Sequence, residues 1–147
     1  MLILITLGVF FLMEGITWCT HKYVMHGFGW YLHEDHHQPK YNGFEKNDAF
    51  FVIFAIPSMA LIYFGSNTIH TYLLFIGLGI LCYGVAYFLV HDVLIHQRFK
   101  WFKNTNNWYL KGLRKAHKIH HKNMDKEDSQ CFGMLFVPLE YFNQYKK

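Results

Sequence analysis

The fold is decided by the sequence HKYVMHGFGWYLHEDHH at residues 21–37, which closely follows the apolar run LILITLGVFFLMEGITWC at residues 2–19. Five histidines stand in the polar stretch, and only Thr6, Glu14 and Thr17 interrupt the apolar one. At about 1.5 Å per residue, a helix of that length reaches roughly 27 Å, close to the thickness of a hydrocarbon core. The two stretches predict a membrane-spanning helix that ends in a histidine-rich segment.

Two further apolar runs, residues 49–64 and 69–90, are joined by the turn Gly65-Ser66-Asn67-Thr68. A polar turn between two apolar runs of this length predicts a helical hairpin in the membrane. Asn47 and Asp48, which precede the first run, are expected to cap its helix because their side chains accept hydrogen bonds from free backbone N–H groups. The chain is thus expected to cross the membrane three times.

The positive charges lie on one side of these predicted spans. All fourteen Lys and Arg residues fall in three segments, residues 22–46, residues 98–126 and the tail 146–147. With three spans, those segments share one face of the membrane, which the positive-inside rule identifies as cytoplasmic. The sequence therefore predicts a multi-pass protein of the inner (cytoplasmic) membrane, with its amino terminus outside and its histidines at the cytoplasmic face.

The composition supports a membrane protein with a polar end. Hydrophobic residues make up 52% of the chain, yet the mean hydropathy is only +0.06, so a very apolar part is balanced by a very polar one. Cys19, Cys82 and Cys131 form no CxxC pair, which argues against a disulfide framework and a thiolate zinc site. We predict an all-α fold, in which residues 1–147 form one integral membrane helical bundle with a cytoplasmic histidine-rich helical cap.

Ten of the eleven histidines fall into two copies of the same pair of motifs, HxxxxH followed by HxxHH. Each copy begins at the end of a predicted span, so both copies can converge on one metal site. His70, the remaining histidine, lies near the turn between the second and third spans and is assigned no role. The motif members are His21, His26, His33, His36, His37, His91, His96, His117, His120 and His121.

The spacing within the motifs has geometric consequences. In HxxHH, residues i, i+3 and i+4 lie on one face of a helix, so three imidazoles are expected to point the same way. In HxxxxH, the two residues are about 140° apart on an ideal α-helix, too far apart to bind one ion easily. Ten imidazoles divided over two ions give at most five each, which leaves a six-coordinate metal one open position. A purely structural zinc site would use four ligands and often cysteine.

The four motifs, with the flanks HKYVMHG, FEKND, HDVLIHQR and AHKIHH, resemble the bacterial beta-carotene 3-hydroxylase family, within the membrane fatty acid hydroxylase and sterol desaturase superfamily. The likeness covers residues 14–137. It implies a non-haem di-iron monooxygenase that uses dioxygen and electrons from a ferredoxin to hydroxylate carbon 3 of carotenoid rings. It also implies that all ten histidines are catalytic iron ligands, with zinc able to replace iron in preparations. The chain departs from the family by beginning inside its first span, which implies that a short outer segment is absent.

Carboxylates in and near the motifs are candidates for orienting the imidazoles. We expect Asp92 to accept a hydrogen bond from a ligand imidazole, whereas for Glu34 and Asp35 the sequence favours neither this role nor a solvated one. Glu14 lies inside a predicted span, where a carboxylate is costly and commonly functional. It precedes His21 by about two turns, so it either points into the bundle beneath the metals or lies protonated near the interface.

The substrate is expected to reach such a site from the bilayer, with its ring between helices and its polyene in the hydrocarbon. Candidate lining residues are the aromatic side chains nearest the motifs, Tyr23, Phe28, Trp30, Tyr31, Tyr83 and Tyr87. No flavin, haem or nicotinamide motif is visible, so the electrons must come from a partner. The basic face suits an acidic ferredoxin and equally suits anionic lipid headgroups.

Two segments outside the spans remain. Residues 99–109 alternate aromatic side chains with lysine, which favours a membrane-interface belt over nucleic-acid stacking. Residues 131–142 are apolar but too short to span and contain Pro138, so they are expected at the interface or against the other helices. The residues leave other functions open: a fatty acid or sterol hydroxylase, a carotenoid ketolase, or a zinc-binding membrane protein without enzymatic activity.

Overall fold

The computed structural model of the chain describes residues 2–38 and 43–145, and every regular element within these ranges is helical. The sequence predicts a loop at residues 38–46, where Pro39 and Asn42-Gly43 stand, and residues 39–42 of this segment lie outside the described residues. Two short 3₁₀ turns, Leu139–Tyr141 and Asn143–Tyr145, stand near the carboxyl terminus. The α-helices are α1 (Leu2–Cys19), α2 (Trp30–His37), α3 (Asp48–Asn67), α4 (Tyr72–Phe88) and α5 (Trp108–His120).

Among residues 2–38 and 43–145, three continuous helical stretches are long and apolar enough to cross a membrane, namely Leu2–Phe28, Asp48–Asn67 and Tyr72–Ile95. The prediction of an all-helical bundle with three spans is confirmed. The bounds differ from those of the apolar runs, because the first and third stretches continue into the polar motifs. They do so as π-helices, Thr20–Phe28 after α1 and Leu89–Ile95 after α4.

The two π-helical segments contain the HxxxxH motifs. In a π-helix each backbone N–H bonds to the carbonyl oxygen five residues earlier. In the second segment, the His96 N–H donates to the His91 carbonyl oxygen at 2.9 Å. The first segment is kinked at Gly27, where φ is −113° and ψ is −126°, and this kink turns the chain towards α2. The first and third spans thus change helix type where their histidines begin.

Helix α4 is packed against both other spans at glycine residues. A Cβ atom at Gly79 would lie 2.8 Å from the Thr6 carbonyl oxygen of α1, and one at Gly77 would lie 2.8 Å from the Ser58 carbonyl oxygen of α3. Ser58 Oγ donates to the Gly77 carbonyl oxygen at 2.8 Å, and Thr6 Oγ1 donates to that of Phe75 at 3.0 Å. Close backbone contact at small residues, supported by hydroxyl hydrogen bonds, is how membrane helices commonly associate.

The chain after α5 folds back over the histidine end of the bundle. Met134 and Phe142 are buried, the Phe142 ring stacks on Tyr109 at 5.3 Å, and the Tyr109 hydroxyl donates to the Leu135 carbonyl oxygen. Residues 131–142 were predicted to lie either at the membrane interface or against the other helices, and in the structure they pack against the other helices. This segment therefore forms a wall of the histidine site.

Candidate metal centre

The ten motif histidines gather at one end of the bundle, where α2 and α5 cover the π-helical segments. Nine of them form two groups, and within each group one nitrogen per imidazole lies within 4.8 Å of all the others. The first cluster consists of His21, His26, His33, His37 and His120, and the second consists of His36, His91, His96 and His117. His70, exposed before α4, belongs to neither group.

Each HxxxxH motif contributes both of its histidines to one cluster. His21 and His26 belong to the first cluster, and His91 and His96 belong to the second. A π-helix has more residues per turn than an α-helix, so residues five apart lie above one another instead of diverging. The sequence predicted that this spacing does not easily allow two imidazoles to share one ion on an undistorted α-helix, and the π-helical segments supply the departure from α-helical geometry that brings each pair together.

Each HxxHH motif is divided between the clusters. In α2, His33 and His37 belong to the first cluster and His36 to the second; in α5, His117 belongs to the second and His120 to the first. Neighbouring residues on an α-helix differ in direction by about 100°, so His36 and His37 face different sides. The expectation that all three imidazoles of a motif point the same way is wrong. Each cluster contains one histidine from the other half of the chain.

Within each cluster, imidazole Nε2 atoms face one another at the spacing of ligands around a common ion. With a metal–nitrogen distance of about 2.1 Å, two ligands at right angles lie about 3.0 Å apart. In the first cluster, the Nε2 atoms of His21 and His33 are 3.2 Å apart and those of His26 and His120 are 3.3 Å apart. In the second, the corresponding distances are 2.9 Å for His36 and His91 and 3.0 Å for His96 and His117.

The opposite ring nitrogen, Nδ1, is held by an acceptor in most of these histidines. In the first cluster, His33 Nδ1–H donates to Asn47 Oδ1 at 2.7 Å. A proton held on Nδ1 leaves the Nε2 lone pair free for a metal ion and fixes the orientation of the ring. The other four imidazoles donate to backbone carbonyl oxygens, His21 to Phe132 (3.2 Å), His26 to Lys126 (2.9 Å), His37 to Asn123 (3.0 Å) and His120 to Gln130 (2.9 Å).

Carboxylates have this role in the second cluster. His36 Nδ1–H donates to Glu45 Oε2 at 2.7 Å, and His91 Nδ1 lies 3.3 Å from Asp92 Oδ2. The Arg98 guanidinium lies 3.0 Å from Asp92 Oδ1 and 3.3 Å from Glu45 Oε2, so one cation joins both carboxylates. Asp92 therefore lies beside the His91 imidazole, where it can accept the hydrogen bond that the sequence predicted for it.

Three residues that hold these imidazoles directly or through a carboxylate were not predicted in that role from the sequence. Glu45 and Asn47 belong to the flank FEKND, and Arg98 ends the flank HDVLIHQR, so the resemblance contained the signal without giving their roles. The predicted cap at Asn47 is wrong, because its side chain makes no hydrogen bond to the start of α3 and accepts from His33 instead. A buried imidazole N–H has no water to bond to and so requires a protein acceptor, whereas N–H groups at a helix end can bond to water where water reaches them.

Burial favours the neutral form of several of these imidazoles, which is the form that binds a metal ion. Burial lowers the pKa of His33 to about 2, that of His120 to about 3 and that of His37 to about 4. Among the described residues, the buried Nε2 atoms of His37 and His121 have no hydrogen-bond partner. A buried polar atom without a partner is costly, and a metal ion would satisfy both. The residues therefore fit nitrogen-ligated transition metal ions, of which iron is one.

Glu14 is buried in α1, but its hydrogen bonds are not made to imidazoles. Its Oε1 accepts the three consecutive backbone N–H groups of residues 134–136 at 2.9, 2.9 and 3.0 Å. Its Oε2 accepts from the Tyr83 hydroxyl at 2.7 Å. This carboxylate anchors the segment whose Phe132 carbonyl oxygen receives His21, so it acts on the first cluster through the backbone.

An apolar cavity of about 250 Å³ lies next to both clusters, between α1, α3 and α4. Its wall includes His21 of the first cluster and His91 of the second, and Phe132 contributes to it as well. Of the aromatic residues predicted to line such a space, Tyr83 and Tyr87 do so. A carbon atom in this cavity would be close to ligands of both candidate metal ions.

The other four predicted lining residues lie elsewhere. Phe28 is 87% exposed, and Tyr23 and Tyr31 are also exposed. Trp30 borders a separate depression formed with residues 122–128. The prediction chose side chains near the motifs in sequence, whereas the cavity is formed by the spans below the histidines.

Comparisons with known proteins show which sequences this chain resembles. A sequence model described as fatty acid hydroxylase matches residues 6–144. The beta-carotene hydroxylase of Pantoea ananas is 45% identical over 126 residues, which are 86% of this chain and 71% of that protein. The beta-carotene hydroxylase of Paracoccus sp. (strain PC1) is 34% identical over 92% of this chain and 83% of its own length. No solved structure gives a significant match.

A plant relative covers a smaller share of its own length. Chloroplastic beta-carotene hydroxylase 1 of Capsicum annuum is 39% identical over 123 residues, which are 82% of this chain and 38% of that protein. The chain therefore corresponds to most of the bacterial proteins and to about two fifths of the plant one.

Proposed function

Because the chain belongs to the fatty acid hydroxylase family, we propose that it is a di-iron membrane monooxygenase that hydroxylates carbon 3 of the beta-ionone rings of carotenoids. Its substrate would be beta-carotene and its products beta-cryptoxanthin and then zeaxanthin, since the substrate has two equivalent ends. The observation that carries this proposal is the apolar cavity that touches one imidazole of each cluster. The relatives named beta-carotene hydroxylase, from bacteria and plants, support the substrate class.

The proposed centre holds two irons, each with five imidazoles. The first cluster already has five members, and His121 is the natural fifth member of the second. Its ring lies 4.6 Å from that of His117 and 4.9 Å from that of His96, and its buried Nε2 has no partner among the described residues. It also occupies the position in its HxxHH motif that His37 occupies in the other. Five ligands leave a six-coordinate ion one open position for dioxygen.

Bound iron would supply the oxidising power that a hydrocarbon C–H bond requires, drawn from dioxygen and two electrons. The chain's own residues do the remaining work. The apolar walls hold the ring against His21 and His91 and exclude water, and Tyr87 stacks on the His91 ring at 4.9 Å. Asn47, Glu45 and the backbone carbonyl oxygens keep the imidazoles in place.

The electrons would come from an acidic ferredoxin. Nine of the fourteen Lys and Arg residues lie in residues 98–126, and Lys118 and Lys122 are exposed beside the clusters. A positive surface accelerates the encounter with an acidic partner. Reversing both charges with Lys118→Glu and Lys122→Glu should raise the ferredoxin concentration needed for half-maximal rate. An unchanged requirement at low salt would place the donor elsewhere.

For the membrane we propose the inner (cytoplasmic) membrane, with the amino terminus outside and the histidines at the cytoplasmic face. The positive-inside rule supports this orientation, and Phe99, Trp101 and Phe102 are exposed as an interface belt would be. In a cysteine-free background, a reagent that cannot cross the membrane should label a Cys placed at Asn67 and not one placed at Asn104. The reverse pattern would disprove the orientation.

The reaction is tested in cells that accumulate beta-carotene and supply reduced ferredoxin. We expect beta-cryptoxanthin and zeaxanthin by chromatography, with the new hydroxyl oxygen derived from labelled dioxygen. The matched control is His36→Ala, which should make neither product because the second cluster loses a ligand. A ketone, a hydroxylated fatty acid or a hydroxyl derived from water would contradict the proposal and favour one of the other family activities.

A further inference from the structure

The hairpin of α3 and α4 is closed at one end and open at the other. A Cβ atom at Gly77 would lie 2.8 Å from the Ser58 carbonyl oxygen and 2.9 Å from the Ile62 nitrogen, so the two backbones touch there. Gly84 lies two turns further along α4 and on the same face as Gly77. A Cβ atom at Gly84 would have no heavy atom within 4 Å. Between these two glycines, α4 separates from α3.

The gap so formed is the outer part of the apolar cavity. Gly84 and Ala55 line it, as do His21 and His91 at its inner end. Four further lining residues on α3 and α4 face outwards, with exposures between 47% and 68%: Phe51, Met59, Leu81 and Val85. The lining residues of α1 and of the π-helical segment that follows it are, by contrast, buried or half-buried: Met13, Thr17, His21 and Met25. The cavity therefore opens sideways between α3 and α4, where a bilayer would supply hydrocarbon.

We propose that this gap is the lateral entrance through which one end of a lipid-dissolved substrate reaches the clusters, and that the missing side chain of Gly84 sets its width. The inference rests on the proposed function for the identity of the substrate. A cavity of about 250 Å³ is below the usual range of about 300–1,000 Å³ for pockets that enclose a whole drug-sized ligand. It accepts a terminal ring and leaves the polyene between the helices and the lipid.

The test is Gly84→Leu in the full-length chain, produced in cells that accumulate beta-carotene. The Cβ atom of an added side chain meets no heavy atom within 4 Å at position 84, so we expect the iron content and melting temperature to equal those of the parent chain. Zeaxanthin formation and the carotenoid retained per purified chain should each fall at least about tenfold, because the ring no longer reaches the histidines. Gly8→Leu is the matched control: it also has open space around its Cβ, on the exposed face of α1, and should behave like the parent.

The graded series Gly84→Ala, Gly84→Val and Gly84→Leu protects the test against a folding defect. Product formation should fall with side-chain volume while the iron content stays constant. Wild-type product formation by Gly84→Leu would overturn the entrance, and so would a loss of activity that follows iron content rather than volume across the series. If the parent chain makes no hydroxylated carotenoid, the proposed function fails, whereas retained carotenoid that still decreases with volume at position 84 supports the entrance.

Discussion

Replacement of Glu14 by alanine tests how far a carboxylate in the first span controls a metal site at its end. The change removes the acceptor of the three N–H groups of residues 134–136 and of the Tyr83 hydroxyl. A buried donor left without a partner costs about 1–3 kcal/mol. Met134 is buried and Phe136 is exposed, so water can replace part of the loss. We expect the free energy of unfolding to fall by about 2–4 kcal/mol.

The same change should affect the two clusters differently. Freed from Glu14, the segment that contains the carbonyl oxygens of Gln130 and Phe132 no longer orients His120 and His21, both of the first cluster. The second cluster is held by Glu45 and Asp92, which the substitution does not touch. Loss of an outer hydrogen-bond partner typically weakens metal binding about 10–100-fold. Iron content should therefore fall from about two per chain towards about one.

The assay is metal analysis and thermal unfolding of anaerobically purified protein, with Glu14→Gln as the matched control. Glutamine keeps an oxygen where Oε1 accepts the three N–H groups, so it should restore most of the stability and iron content. A Glu14→Ala chain with parental iron content and melting temperature would refute the reasoning. Equal losses in Glu14→Ala and Glu14→Gln would also refute it, because charge and not the backbone anchor would then be responsible.

Two further substitutions test the second cluster. Arg98→Ala should reduce the iron affinity of the second cluster about 10–100-fold, because the carboxylates that hold His36 and His91 lose their common cation. Arg98→Lys should retain part of that affinity. Equal affinity in the parent and both variants would exclude a role for Arg98 in supporting these carboxylates. His121→Ala should lose iron from the second cluster, whereas His70→Ala should lose none. Iron per chain and product formation measure both effects. A full iron content in His121→Ala would show that the second cluster has only four imidazole ligands.

The sequence predicted the helical class and the three spans because those follow from local composition. Continuous apolar runs and polar turns identify them without any knowledge of tertiary contacts. The motifs were also sufficient to gather ten histidines at one end of the bundle. The motifs did not predict which histidine belongs to which cluster, because that assignment depends on the type of helix that carries each motif. Two histidines five apart, repeated at His21 and His91, are a spacing that a π-helix accommodates and an α-helix does not.

The residues that orient the imidazoles escaped prediction for a different reason. Glu14 meets the backbone N–H groups of residues 134–136 more than a hundred residues away, and no local pattern reports such a contact. Asn47 had two possible partners, the free N–H groups of α3 and an imidazole, and only the burial of His33 decides between them. Backbone carbonyl oxygens carry no sequence signal, although four of them hold imidazoles of the first cluster.

The exchange of one histidine between the two halves of the chain makes the two clusters depend on each other. His36, from the amino-terminal pair of motifs, belongs to the second cluster, and His120, from the carboxyl-terminal pair, belongs to the first. The rings of His37 and His121 stack at 4.3 Å where the clusters meet. Because each cluster contains histidines of both α2 and α5, a metal ion bound in either would hold these helices together and so position ligands of the other. Binding of the first ion would already have cost the conformational entropy of fixing α2 and α5. The second ion should therefore bind more tightly than the first, so we expect cooperative iron binding.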